Sequence, residues 1–211
     1  FGYTKGATVK NLSLSNVKVD GGHGTEVGGL IGHADGTKID NISILGDVYG
    51  KEFVGGIVGR MSDTDMNVVN FNGNIEGDSD LGGLAGRMIT NANIYNSYSS
   101  GVIDAGYNAG GIAASLYDNS KIENTLSAMD ISAQNGKTGV TIAEGDNYPD
   151  KLVNNHYYEN LFVSGPRLDL HVEPLTLEEL KSRPTYNNKL LWSNDDWNTA
   201  MAYLRLPQRI G

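Results

Sequence analysis

The chain has 211 residues, enough for one domain with a real core, or one domain plus a small appendage. Its 28 glycines, only 5 prolines and 39% hydrophobic residues argue against a disordered linker and for many tight turns. A net charge of −9 without a basic cluster speaks against nucleic acid as a partner, and the lack of cysteine excludes disulfides and thiolate metal sites.

The chain repeats itself. In order, Val27-Gly28-Gly29-Leu30-Ile31-Gly32 recurs as Val54-Gly55-Gly56-Ile57-Val58-Gly59, Leu81-Gly82-Gly83-Leu84-Ala85-Gly86 and Ala109-Gly110-Gly111-Ile112-Ala113-Ala114, with a worn fifth copy from Thr138 to Ala143. The first glycines stand at 28, 55, 82, 110 and 139, a period near 28. A second marker, an Asn with an aliphatic residue two places upstream, keeps the same period at Asn11, Asn41, Asn70, Asn96, Asn124 and Asn154.

Within each unit the pattern is that of strands. Leu12, Leu14, Val17 and Val19 are separated by polar residues, as are Ile42 and Ile44, and Gly, Asn or Asp punctuates every few positions. This predicts strands of about 3–6 residues joined by turns. One unit cannot bury its apolar side alone, whereas stacked copies share a continuous core. The expected fold is therefore all-β, a right-handed parallel β-helix of five to six turns over residues 1–155. Leu30, Ile57, Leu84 and Ile112 would form one internal ladder, and Ala34, Met61, Met88 and Leu116 another. The paired glycines mark a corner that needs positive φ or has no room for a side chain, and the Asn column would stack its amides between units.

With those residues in view, the phrase Val-Gly-Gly-Leu-Ile-Gly and the upstream aliphatic-x-Asn resemble the GLUG repeat of bacterial surface proteins. Such repeats occur in adhesins, including filamentous-haemagglutinin-like ones, and in the N-terminal regions of IgA-cleaving metallopeptidases. The resemblance covers about residues 5–155. It implies a β-helix and an exported parent, and no catalytic residue.

From about Asn155 the markers fade, so residues 156–211 read as a C-terminal cap. Thr176-Leu177-Glu178-Glu179-Leu180 predicts a short helix with Thr176 as N-cap and Glu179 completing a capping box, ended by Pro184. Trp192 and Trp197, followed by Tyr203, Leu204 and Leu206, are expected to cover the last open coil.

Candidate chemistry is sparse. His23, His33, His156 and His171 lie far apart without metal spacing, and neither His-Glu-x-x-His nor Gly-x-Ser-x-Gly occurs. Gly21-Gly22-His23-Gly24-Thr25-Glu26 is only a single imperfect copy of a calcium-type repeat. The acid pairs Asp63/Asp65, Asp78/Asp80 and Asp195/Asp196 sit in turn contexts, and no column of acids is evident. One exterior column stands out: His33, Arg60 and Arg87, then Ser115. It reads either as a binding column or as solvated pairs with Asp35, Asp63 and Asp65. The tyrosines concentrate late, at Tyr95, Tyr98, Tyr107, Tyr117, Tyr148, Tyr157 and Tyr158, and some of them would lie outside a narrow helix.

The expected protein is not an enzyme and holds no cofactor or metal. It is a structural or binding segment of a bacterial adhesin or exported host-interacting protein, at the cell surface or secreted and part of a longer chain. The alternative is an accessory β-helix of a secreted enzyme, either an IgA-type metallopeptidase or a polysaccharide-active protein. Host protein or glycan is the expected partner. No apolar run approaches the ~18 residues that span a bilayer, so no membrane insertion is expected.

Overall fold

The computed structural model describes residues 1–146, 150–168 and 172–193. Trp197, Tyr148, Tyr203, Leu204, Leu206, His171, Asp195 and Asp196 lie outside these residues. Of the described residues 65% are strand and 6% helix, wound as a parallel β-solenoid of about 5 turns. A narrow sheet stacks the six strands Tyr3–Lys5, Ile31–Asp35, Val58–Ser62, Ala85–Ile89, Ala113–Leu116 and Ile142–Gly145. A broad sheet of eleven strands takes the rest of each coil, chiefly Thr8–Asp20, Lys38–Gly55, Asp65–Gly82, Asn93–Ala105 and Lys121–Ala133.

The strands run longer than expected, up to 18 residues, because the ladder passes through the corners without interruption. Every pair is parallel, and all but the pairing of Asn155–Tyr158 with Val172–Leu175 join residues about one period apart. Leu30 N–H donates to Ile57 O at 3.0 Å, Ile57 to Leu84 at 3.0 Å and Leu84 to Ile112 at 2.8 Å. The two aliphatic ladders expected from the sequence are buried in one core with Ile44, Phe71 and Ile75.

The paired glycines answer to space. None adopts positive φ. A Cβ on the first glycine of a pair would overlap a carbonyl three residues ahead, as Gly55 would overlap Val58 O. A Cβ on the second would enter the side chain across the coil: Phe71 for Gly56, Ser99 for Gly83, Ser127 for Gly111. The glycines therefore set how narrow each coil is.

Left-handed backbone is instead taken by the asparagine column. Asn11, Asn41, Asn96, Asn124 and Asn154 have φ of 46–57°, which Asn tolerates better than most residues. Asn41 donates to Asn11 Oδ1 at 2.8 Å, Asn124 to Asn96 at 3.2 Å and Asn154 to Asn124 at 2.8 Å. The third coil departs from the expected column. Val68, φ 52°, stands in register between Asn41 and Asn96, and Asn70 falls two places on. Asn67 bridges the gap by accepting from Asn96 at 3.0 Å and donating to Asp40 at 2.9 Å.

Val68 has a reason to be apolar. An exterior column of the broad sheet reads Ser13, Ser43, Asn70, Tyr98, Leu126 and His156. It turns apolar where the tail lies on it. Val68, Tyr98 and Leu126 form a second core with Leu175, Leu180, Tyr186, Leu190 and Trp192. Beneath that face the interior turns polar, with buried Ser97, Ser99 and Thr125 bonded to backbone or to Asn155.

Trp192 thus lies on the flank of the solenoid, 6.3 Å from the Tyr98 ring and 5.4 Å from Tyr186, with Nε1–H donating to Asn124 O at 2.8 Å. Parallel pairing also runs past residue 155: Asn155–Tyr158 pairs onward with Val172–Leu175, and Val163 and Arg167 bridge back to Ile131 and Thr138. In the tail, α1 (Leu177–Leu180) carries the capping box of Thr176 and Glu179. The Lys189 ammonium and the Thr176 backbone hold the Glu179 carboxyl down to about 2. Pro184 does not end this helix. It occupies the first turn of α2 (Arg183–Asn188), where its missing N–H costs nothing.

Two outcomes follow. Gly56→Ala should lower unfolding free energy by roughly 1–3 kcal/mol or more through overpacking against Phe71. Gly2→Ala, whose added Cβ meets nothing within 4 Å, should stay within about 0.5 kcal/mol in the same denaturant titration. Trp192→Ala should cost about 3–5 kcal/mol locally. Hydrogen exchange should then accelerate across residues 172–193 and at Tyr98 while the first two coils keep their protection. Uniform acceleration would contradict a flank-bound tail.

Candidate functional site

The narrow sheet presents the column expected from the sequence. His33, Arg60, Arg87 and Ser115 follow one another in register, with Tyr3 before them and Glu144 after. A corner column runs beside it. Glu26, Phe53 and Asp80 occupy equivalent places one coil apart, since Val27, Val54 and Leu81 pair in sequence. All three have left-handed φ, of 61°, 50° and 55°. Asn108 takes the next place.

The partners of the basic column are not those expected. Glu26 takes both His33 Nδ1, at 3.2 Å, and Arg60, at 2.9 Å. Asp35 is engaged by Lys5 at 3.2 Å and by the Tyr3 hydroxyl at 3.0 Å, contacts that hold its carboxyl below the usual range. Asp63 and Asp65 accept from Asn91 and Asn93, each at 2.9 Å. The reason is geometric: Glu26 projects from the adjoining corner, and the turn acids lie at the other end of the strand.

Arg87 is treated differently. Its guanidinium carbon stands 5.1 Å from the Phe53 ring centroid and 5.4 Å from that of Tyr117. Above it, the Asn108 amide donates to Asp80 at 3.0 Å and to Glu144 at 3.0 Å. Burial raises the Asp80 carboxyl above its ordinary value despite the Asn108 bond. At the lower end the Tyr3 ring meets His33 edge-on, with centroids 5.2 Å apart. The result is a strip of alternating bases, acids and aromatic rings along the solenoid axis.

Sequence reasoning found the basic column and missed what surrounds it. Glu26 and Phe53 precede the glycine pair by two positions in every copy, a place that Asp80 and Asn108 also fill, and that period was the available signal. An acidic pair was missed as well. Glu76 and Asp104 stand in register on an exposed face of the broad sheet, in a column with Asp20 and Tyr49. Among the described residues no group of three or more His, Asp or Glu side chains is arranged to hold a metal, and no helix is long and apolar enough to cross a membrane.

No family model matches the chain, and no curated protein does. Among solved structures the fold is similar to an IgA1 Protease chain. The TM-score is 0.60 at 23% identity, over 82% of this chain and 14% of that one. At that identity the likeness establishes the fold.

The Glu26–Arg60 pair is partly solvated, its side chains 26% and 34% exposed. After discounting for solvent screening, Glu26→Gln should shift unfolding free energy by less than about 1 kcal/mol. A larger loss in thermal melting would show that Glu26 supports the fold.

Proposed function

We propose that this chain is a non-catalytic binding module, a rigid β-helix within a longer exported bacterial protein, whose contact surface is the strip on the narrow sheet. The observation that carries this reading is the strip itself. Ionic and aromatic side chains of consecutive coils are lined up on a fully hydrogen-bonded sheet, which holds them at fixed spacing. Fixed side chains lose little entropy on binding, so a ligand meets a preorganised surface.

Of the two parents considered, an accessory domain of a secreted enzyme is favoured over an adhesin. The support is the fold it shares with one part, 14%, of an IgA1 Protease chain. The chemistry of that enzyme is left to the rest of its chain in this reading. Host protein or glycan remains the class of partner, and the cell exterior the place of action.

The test is a binding screen of the full chain on arrays of host glycans and secreted host proteins, with a turnover assay on the same panels. A ligand should be retained at least about tenfold more weakly by the His33→Ala, Arg60→Ala, Tyr117→Ala triple variant, with melting changed by only a few degrees. Turnover of any substrate, or binding that the triple variant leaves intact, would overturn the proposal.

A further inference from the structure

We infer that Arg87 is the ligand-contacting residue of the strip and that it takes the carboxylate of an acidic oligosaccharide. This rests on the binding-module reading above. Arg60 is ion-paired with Glu26 through one terminal nitrogen, but Arg87, one coil further on, has no hydrogen bond and no ion pair among the described residues. That is an unusual state for an arginine in a chain with 25 acidic residues against 16 basic.

The orphaned polar atoms cluster here. Among the described residues, six buried side-chain atoms lack a partner, and three of them are Arg60 Nε, Arg87 Nε and Ser115 Oγ, on three consecutive rungs of one column. Ser115 is only 2% exposed. Native proteins leave few such atoms, and each calls for an explanation. These three atoms lie beneath the surface of the column, and contact with a ligand falls to the terminal nitrogens of Arg87, which have no hydrogen bond among the described residues and are not among the buried atoms.

The chemistry of that ligand follows from the surroundings. Phe53 belongs to the coil before Arg87 and Tyr117 to the coil after it, so the rings flank the guanidinium along the axis. Ring contact gives the guanidinium no hydrogen-bond acceptor, and its N–H fork matches a carboxylate in two-point geometry. Asp80 and Glu144 stand close by, joined through Asn108, and repel a doubly charged group such as phosphate more than a single carboxylate. Sugar hydroxyls both donate and accept, so they suit a strip where Arg87 offers hydrogens and Asp80 and Glu144 receive them. A peptide fits less well. The strip lies on the face of a sheet whose backbone is already paired on both sides, so it offers no main-chain groups for an added strand.

The test uses two acidic oligosaccharides, oligogalacturonate and sialyllactose, each beside its methyl ester, and poly-glutamate, titrated calorimetrically against the full chain. At least one acidic oligosaccharide should bind about tenfold or more tightly than its ester. Arg87→Gln should reduce that ratio to within about twofold, and Arg87→Lys should keep the charge yet retain less than about a tenth of the affinity. Melting of both variants should stay within a few degrees of the parent, which separates lost contact from lost fold. If acid and ester bind equally and the Tyr117→Ala variant still loses both, the strip binds another ligand; the inference falls and the binding-module reading stands. Binding of poly-glutamate alone would overturn the oligosaccharide assignment. No strip-dependent binding of any probe or array ligand would sink both.

Discussion

Everything in this fold depends on how closely one coil can lie on the next at the glycine pair. The amides of Leu30, Ile57, Leu84 and Ile112 each reach the carbonyl of the following coil at 2.8–3.0 Å. That reach exists because Gly29, Gly56, Gly83 and Gly111 present no Cβ toward the next coil's carbonyls, those of Gly56, Gly83, Gly111 and Val140. Once the pair fixes the stacking, every other position inherits its column. Apolar residues become ladders, asparagines become an amide stack, and the bases of the narrow sheet become a strip. A fold of this kind is specified one rung at a time, and each rung rests on its neighbours.

Stacking creates an electrical problem, because like charges in one column stand a strand spacing apart, about 4.8 Å. The sequence meets it by offsetting Asp in one coil with Asn in the next. Asn67 donates to Asp40, Asn74 to Asp47, Asn91 to Asp63, Asn93 to Asp65 and Asn108 to Asp80, all at 2.8–3.0 Å. An Asn amide has a donor to give and a carboxylate has only acceptors, so the pairs also fix register. Glu76 and Asp104 break the rule: they are in register, and neither has a hydrogen bond or ion pair among the described residues. Repulsion there is borne by the rest of the ladder.

Much of this was legible in the sequence, and what was not has physical causes. The period near 28, the core ladders, the strand pattern and the capping box at Thr176 and Glu179 all follow from local rules that a single chain displays. The reading of Asn70 as a column member failed because spacing alone cannot tell Val68 from its neighbours. What displaces the asparagine there is a tail more than a hundred residues away, whose Trp192 and Leu180 share a core with Val68. Tyr98 and Leu126 carry no local mark of that core for the same reason. The partners of His33 and Arg60 were misplaced because Glu26 is near them only after the corner is folded.

The corner beside the strip makes the strongest case that this surface is built for contact. Elsewhere the solenoid gives left-handed backbone mainly to asparagine, which bears it at little cost, as at Asn41, Asn96 and Asn124, with β-branched Val68 the costly exception in that column. At the corner the same conformation falls to Glu26, Phe53 and Asp80, for which it is less favourable, Phe53 above all. Each of these three puts its side chain into the strip: Glu26 onto Arg60 and His33, Phe53 under Arg87, Asp80 against Asn108. Asparagine or glycine there would relax the backbone and empty the surface. Val68 is kept where its side chain joins the core beneath the tail, and Phe53 where its ring meets Arg87, so the costly conformation goes with a contact to be made. Strain that coincides with an arranged set of ionic and aromatic groups is better explained by what those groups meet than by the stability of the coil.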